Sequence, residues 1–215
     1  MIEVHPPHEP IFGWRDFFIH LATITIGLLI ALSLEGCVEF WHHRGLVHEA
    51  EASMQIEVNA NARELQGALN DVRREQDLLK KDIGVMKKII AHPKVPNYEE
   101  MTVDFRIRTF ADVSWKTAQS TGALSYMPYE RAQEYAEIYS AQNEIRDAEH
   151  QAVRDTVLSI APFLNSEKDA VNPGGEEAVK IVDRLEVLQG QLMFLESLIK
   201  GLDGEYKKFL AAHPG

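Results

Sequence analysis

The chain has 215 residues, with 22 Lys or Arg against 33 Asp or Glu, a formal charge of −11 with histidine neutral. That balance excludes a nucleic-acid binder that works by neutralising phosphates, and 45% hydrophobic residues with 13 Gly and 9 Pro exclude a disordered or collagen-like chain. A single cysteine, Cys37, makes neither an internal disulfide nor a zinc knuckle, so the composition fits one folded domain plus appendages.

Residues 1–16 read as an N-terminal tail. His5-Pro6-Pro7-His8 offers two imidazoles, too few to complete a metal site. From Phe17 to Leu34 follow eighteen residues whose only polar members are His20, Thr23, Thr25 and Ser33. As a helix this run is about 27 Å long, close to the roughly 30 Å hydrocarbon core of a bilayer. Trp14 and Trp41 flank it where indoles settle at the two headgroup layers. The expectation is a transmembrane helix over 17–41. The start lacks the basic residues of a cleavable signal peptide, and bulky side chains follow the run. Arg15 and Arg44 balance across it, so counting positive charge gives no orientation. A short tail is usually left in the cytoplasm, which makes an exported C-terminal domain the expectation.

At 100° per residue, Thr23, Gly27 and Ala31 share one side of this helix, and small residues four apart let helices pair in lipid. These three are the candidate self-association stripe. Just beyond, Glu39 and His42 have the Glu-x-x-His spacing of di-iron carboxylate bundles, with Glu35 one turn earlier and His43 and His48 nearby. Such a site needs two of these motifs and further carboxylates from facing helices, whereas one motif is present, so solvated side chains are the preferred reading and no metal or other cofactor is assigned.

Residues 42–215 form the second region, a helical bundle domain with 21 basic and 28 acidic side chains. Val58, Ala62, Leu65, Leu69, Val72, Gln76, Leu79, Ile83, Met86 and Ile90 step by four and three, the spacing of a buried helix stripe. The membrane helix is expected to continue without a break to Ala91, where His92-Pro93 stops it. A second helix is expected from Tyr129 to Leu164, with Pro128 just before its first turn. A last helix repeats the four-three pattern through Ile181, Leu185, Leu188, Leu192, Leu195, Ile199, Leu202, Tyr206 and Phe209. The fold expected is all-α, a three-helix antiparallel bundle that leaves the membrane, returns and leaves again.

The connection over 97–127 is too long for a plain joint and reads as an aromatic-rich cap insertion. Val103, Phe105 and Ile107 alternate with Asp104, Arg106 and Arg108, which predicts an extended stretch. Ser114 to Thr121 predicts a short helix closed by a left-handed Gly122. Arg106, Arg108, Trp115, Tyr126 and Tyr129 are the candidate partner or ligand face, since Trp, Tyr and Arg carry disproportionate binding energy. The topology expected here puts that cluster at the bundle end farthest from the membrane.

Two blocks carry a resemblance. The opening His5-Pro6-Pro7-His8, Trp14-Arg15-Asp16-Phe17-Phe18 and Gly27-Leu28-Leu29-Ile30-Ala31-Leu32 with Leu34-Glu35 and Val38-Glu39 is the first, and Trp115-Lys116-Thr117-Ala118, Gly122-Ala123-Leu124 and Met127-Pro128-Tyr129 the second. Together they resemble a group of uncharacterised bacterial single-pass membrane proteins. The resemblance implies anchoring in a bacterial inner membrane, with the exported domain then periplasmic, and it implies no activity.

Phosphate loops, dinucleotide fingerprints, zinc-protease helices and nucleophile elbows are absent from the sequence. The functional expectation is therefore a non-enzymatic, membrane-anchored interaction or scaffold protein. Its expected partners are membrane lipid, a second copy through the span and a protein of unknown identity. The alternatives are a ligand-sensing module acting through a partner and, less favoured, a metal-binding oxidoreductase at Glu35, Glu39 and His42.

Overall fold

A computed structural model describes residues 13–92, 108–164 and 175–214. The protein is all-helical, with no strand among the described residues. In chain order come α1 (Trp14–Ala91), α2 (Val113–Ser120), a 3₁₀ turn η1 (Ala123–Tyr126), α3 (Tyr129–Leu164) and α4 (Gly175–Ala212). The chain divides into two compact units, residues 1–48 and 49–215.

The first unit contains the start of α1, and among the described residues it holds one stretch long and apolar enough to cross a membrane, none of it buried by other described residues. Phe17, Ile24, Leu28, Leu29 and Leu34 are all exposed. The hydroxyls in this stretch bond back to their own helix: Thr23 to the Ile19 carbonyl at 2.9 Å, Thr25 to Leu21 at 2.8 Å and Ser33 to Leu29 at 2.7 Å. Such back-bonding satisfies the donor without water.

The second unit is a helical bundle. The expected stripe on α1 is buried at Val58, Leu65, Leu69, Val72, Leu79, Ile83 and Met86, and the whole α4 stripe from Ile181 to Phe209 is buried. α1 ends at Ala91, as the following Pro93 dictates. Gly122 takes φ 77°, the left-handed conformation in which glycine carries no steric penalty, and α3 starts directly after Pro128, whose carbonyl accepts the Ala132 N–H at 3.0 Å.

Cross-helix hydrogen bonds fix the directions. Between α1 and α4, Gln76 donates to the Leu192 carbonyl and to Glu196, Lys87 reaches Glu186, and Gln55 donates to the His213 carbonyl, so these helices run antiparallel. α3 is antiparallel to α4 as well, through Gln142 to Tyr206 and His213 to Glu134. α1 and α3, in contrast, run parallel: Arg131 pairs with Glu51, and Tyr139 with Glu57.

This corrects the expected out-and-back-and-out order. The physical reason is the described part of the connection, residues 108–114, which runs back along α1: Arg108 lies at Asp71, Ala111 at Asn61 and Ser114 at Glu57. From Glu57 to Ala91 α1 rises about 51 Å, a distance that about 15 extended residues can span, and more than that separate Ala91 from Val113. The cap accordingly sits beside Glu57 and Asn61, where α1 enters the bundle, and not at the Ala91 end. The stretch 103–107 with its expected extended pattern lies outside the described residues.

The burial pattern separates core from surface on a single helix. Leu192→Ala, at a position 2% exposed, is expected to cost about 2–5 kcal/mol in a denaturant melt of the solubilised protein. Val179→Ala, on the exposed side of the same helix, is expected to change stability by less than about 1 kcal/mol.

Candidate functional site

The densest arrangement of polar side chains lies where the returning connection meets α1 and α3. It begins with a second four-three series on α1, one residue before the apolar one: Glu57, Asn61, Glu64, Ala68, Asp71, Glu75, Leu78 and Asp82. Glu57, Asn61, Asp71, Glu75 and Asp82 are buried, which is unusual for such residues unless partners are supplied.

The partners come from the connection and from the other helices. The Glu57 carboxylate accepts the Tyr139 hydroxyl at 2.7 Å and the Ser114 N–H at 2.9 Å. Asn61 clasps one residue of the connection at both backbone groups: its amide donates to the Ala111 carbonyl at 2.8 Å and accepts the Ala111 N–H at 2.9 Å. The Tyr206 hydroxyl accepts Gln142 Nε2 at 2.9 Å. Asp112 receives Arg146 at 2.8 Å and Lys116 at 2.9 Å. A segment with no helix or strand ladder of its own has its backbone groups met by side chains.

Arg108 anchors the segment upstream. Its guanidinium reaches Asp71 at 2.6 Å and Glu64 at 2.9 Å, and both carboxylates hold its pKa above the ordinary value, Asp71 most strongly. It lies flat over Gly67, where an added Cβ would come within 2.6 Å of it, so the missing side chain permits the close approach. Trp115 stacks on Tyr139 with ring centroids 5.1 Å apart.

The titration chemistry of this junction follows from burial. Desolvation pushes the Tyr139 and Tyr206 phenols well above their usual range, Glu57 adding to the effect at Tyr139, and raises Tyr135 to about 12. These hydroxyls stay protonated and serve as fixed hydrogen-bonding groups. Lys116 and then Arg146 hold the Asp112 carboxyl below its ordinary value, against the opposing pull of burial. Glu149 is the exception: only 5% exposed, it is raised by burial to about 7, although the Arg108 backbone N–H and the Arg146 charge favour its ionised form.

The residues singled out in the sequence have separate fates. Arg108 is committed to two carboxylates and Trp115 to Tyr139, while Tyr126 and Tyr129 are exposed at 52% and 77%; Arg106 lies outside the described residues. At Arg108 the candidate partner or ligand face is thus occupied by the protein's own acids. Thr23, Gly27 and Ala31 are exposed, and among the described residues nothing beyond the helix itself lies within 4 Å of a Cβ built at Gly27. Glu35, Glu39 and His42 are also exposed, and among the described residues no group of three or more His, Cys, Asp or Glu is placed to hold a metal ion. A cavity of about 70 Å³ between α3 and α4, lined by Glu134, Glu137, Glu205, Lys208 and Phe209, is well below the roughly 300 Å³ of a small-molecule site.

Sequence reasoning overlooked Glu57, Asn61, Asp71, Gln142, Glu149 and the polar partner of Tyr206. The available signal was the polar four-three series running beside the apolar one on α1. No protein-family model matches the chain, and no curated protein or solved structure is significantly similar to it.

Two measurements check this junction. Asn61→Leu strands both backbone groups of Ala111 and is expected to destabilise the fold by about 2–4 kcal/mol, with limited proteolysis newly cutting near residues 108–114. For Glu149, a folded-state value of about 7 against the ordinary 4.5 means that the folded chain binds the extra proton between about pH 4.5 and 7, so stability falls as pH rises through that window. Glu149→Gln is expected to match the native chain in thermal midpoint near pH 5 and to exceed it at pH 8, by roughly 1–3 kcal/mol in stability.

Proposed function

We propose that this protein is a single-pass, membrane-anchored helical-bundle scaffold that presents its domain to other proteins from the periplasmic side of a bacterial inner membrane. The observation that carries the reading is the eighteen-residue apolar stretch of α1, none of which is buried by other described residues. Exposure of so much contiguous apolar surface is unfavourable in water, at roughly 25 cal/mol for each Å², and lipid removes that penalty. The back-bonded Thr23, Thr25 and Ser33 hydroxyls suit the same solvent.

In this reading α1, α3 and α4 form a three-helix bundle that α2 and η1 seal at one end. The protein is not an enzyme: its buried phenols are held protonated, and Glu57 and Asp71 are spent on the returning connection. Thr23, Gly27 and Ala31 pair the span with a second copy.

The experiment is extraction of native membranes at alkaline pH, combined with reporter fusions at the C-terminus. The expected result is a chain that stays in the membrane pellet until detergent is added, with a reporter active only on the periplasmic side. Release of the intact chain into the aqueous fraction overturns the anchor, and a reporter active only in the cytoplasm overturns the orientation. Gly27→Ile is expected to lower crosslinking between copies at the span by about tenfold, as steric separation of a close helix pair would.

A further inference from the structure

α4 carries two seams. The inner one, Ile181 to Phe209, is the buried stripe of the bundle. The outer one is Val187, Gly190, Phe194, Ser197, Gly201, Gly204 and Lys208, which step by three and four throughout and are all exposed. At 100° per residue the two seams lie about 180° apart on the helix.

The outer seam is unlike a solvated helix face. It carries no charge from Val187 to Gly204, a stretch of almost five turns, on a helix rich in Lys, Arg, Asp and Glu elsewhere. Val187 and Phe194 stand 59% and 60% exposed, and Met193 beside them is 60% exposed. Gly190, Gly201 and Gly204 each weaken a helix relative to alanine. Among the described residues nothing beyond the helix itself lies within 4 Å of a Cβ at any of the three, so no described contact asks for glycine.

The flanking residues identify the occupant. With Val187, Phe194 and Gly201 as one core position of a heptad and Gly190, Ser197 and Gly204 as the other, the flanks of two parallel helices meet five residues apart. Met193 then faces Leu198 of a second copy, an apolar pair, and Lys200 faces Glu205, an opposite-charge pair. Both matches repeat by symmetry on the other side of the seam. Lys200 also holds Glu196 of its own chain at 2.8 Å, with a side chain 55% exposed, which leaves it within reach of a neighbour.

We infer that the outer seam of α4 is a docking surface for α4 of a second copy of this chain, packed in parallel. Glycines at three of the seam positions bring the two backbones close, and Phe194 packs over the small residues of the partner helix. The surface is separate from the Thr23, Gly27, Ala31 stripe and does not depend on it.

The test uses the full-length protein in detergent and in native membranes, with Cys37→Ser as the background. Ser197→Cys places one thiol at the centre of the seam, and mild oxidation is expected to give a disulfide-linked dimer; Gln151→Cys, exposed on α3, is expected to stay monomeric. Adding Phe194→Asp is expected to lower the Ser197→Cys dimer by about tenfold or more, because the seam would bury an unpaired charge. Lys200→Glu is expected to weaken the dimer, and the exchanged pair Lys200→Glu with Glu205→Lys to restore it, a rescue that a merely folded-state effect would not produce. Gly27→Ile in the same background separates the two surfaces, since the Ser197→Cys dimer is expected to survive loss of span pairing. A helical, soluble Ser197→Cys protein that gives no dimer overturns the inference. So does a crosslink that forms only to a different protein in membranes.

Discussion

One constraint governs the rest: an eighteen-residue stretch of α1 is predominantly apolar and carries no fixed charge, and none of it is buried among the described residues. Water would meet side chains such as Ile24, Leu28 and Leu34, each more than half exposed, and the hydrophobic effect opposes that state in proportion to area. The chain also gives this stretch almost no polar group that asks for water, because the three hydroxyls bond to their own helix. On the proposed reading, lipid is the missing partner. α1 is one helix built for two solvents, its apolar part uniform around the axis and its later part divided into an apolar seam and a polar one.

The second determinant is the polar seam of α1, and its consequence is topological. A connection that simply turned would set α3 antiparallel to α1. Here Asp71, Glu64, Asn61 and Glu57 supply partners for a chain travelling back along the helix, so α3 starts level with Glu51 and runs parallel to α1. Buried acids and amides are stabilising only when their partners are complete, which explains why the same residues fix the path of the connection closely. Glu149 shows the opposite side of that rule. Its charge is only partly compensated, by one backbone N–H and by Arg146, and it is held nearer neutrality for that reason.

Much of the fold was legible because periodicity reports burial. The apolar stripes on α1 and α4, the stop at Ala91, the start after Pro128 and the left-handed Gly122 all follow from local rules about spacing, proline and glycine. The direction of α3 was not legible, because apolar spacing says which face is buried and nothing about which helix covers it. Arg108 illustrates the same limit at the candidate site: a basic residue among aromatics reads as a ligand contact, yet its partners Glu64 and Asp71 stand 44 and 37 residues away in sequence. Asn61 was invisible for the same reason, since a polar residue beside a heptad reads as solvated until a distant segment is known to lie on it, while Tyr206 was legible as part of the buried stripe but not the Gln142 partner of its hydroxyl.

The central claim is that the two ends of the apolar stretch lie at the two headgroup layers of a bilayer. It is tested most directly by tryptophan fluorescence of the full-length chain in vesicles made with brominated lipids, with Trp115→Phe and either Trp14 or Trp41 retained. The account predicts that both indoles are quenched most by bromine near the headgroups and least by bromine at the acyl chain ends. Emission from Trp14 and Trp41 that no brominated lipid quenches would contradict it.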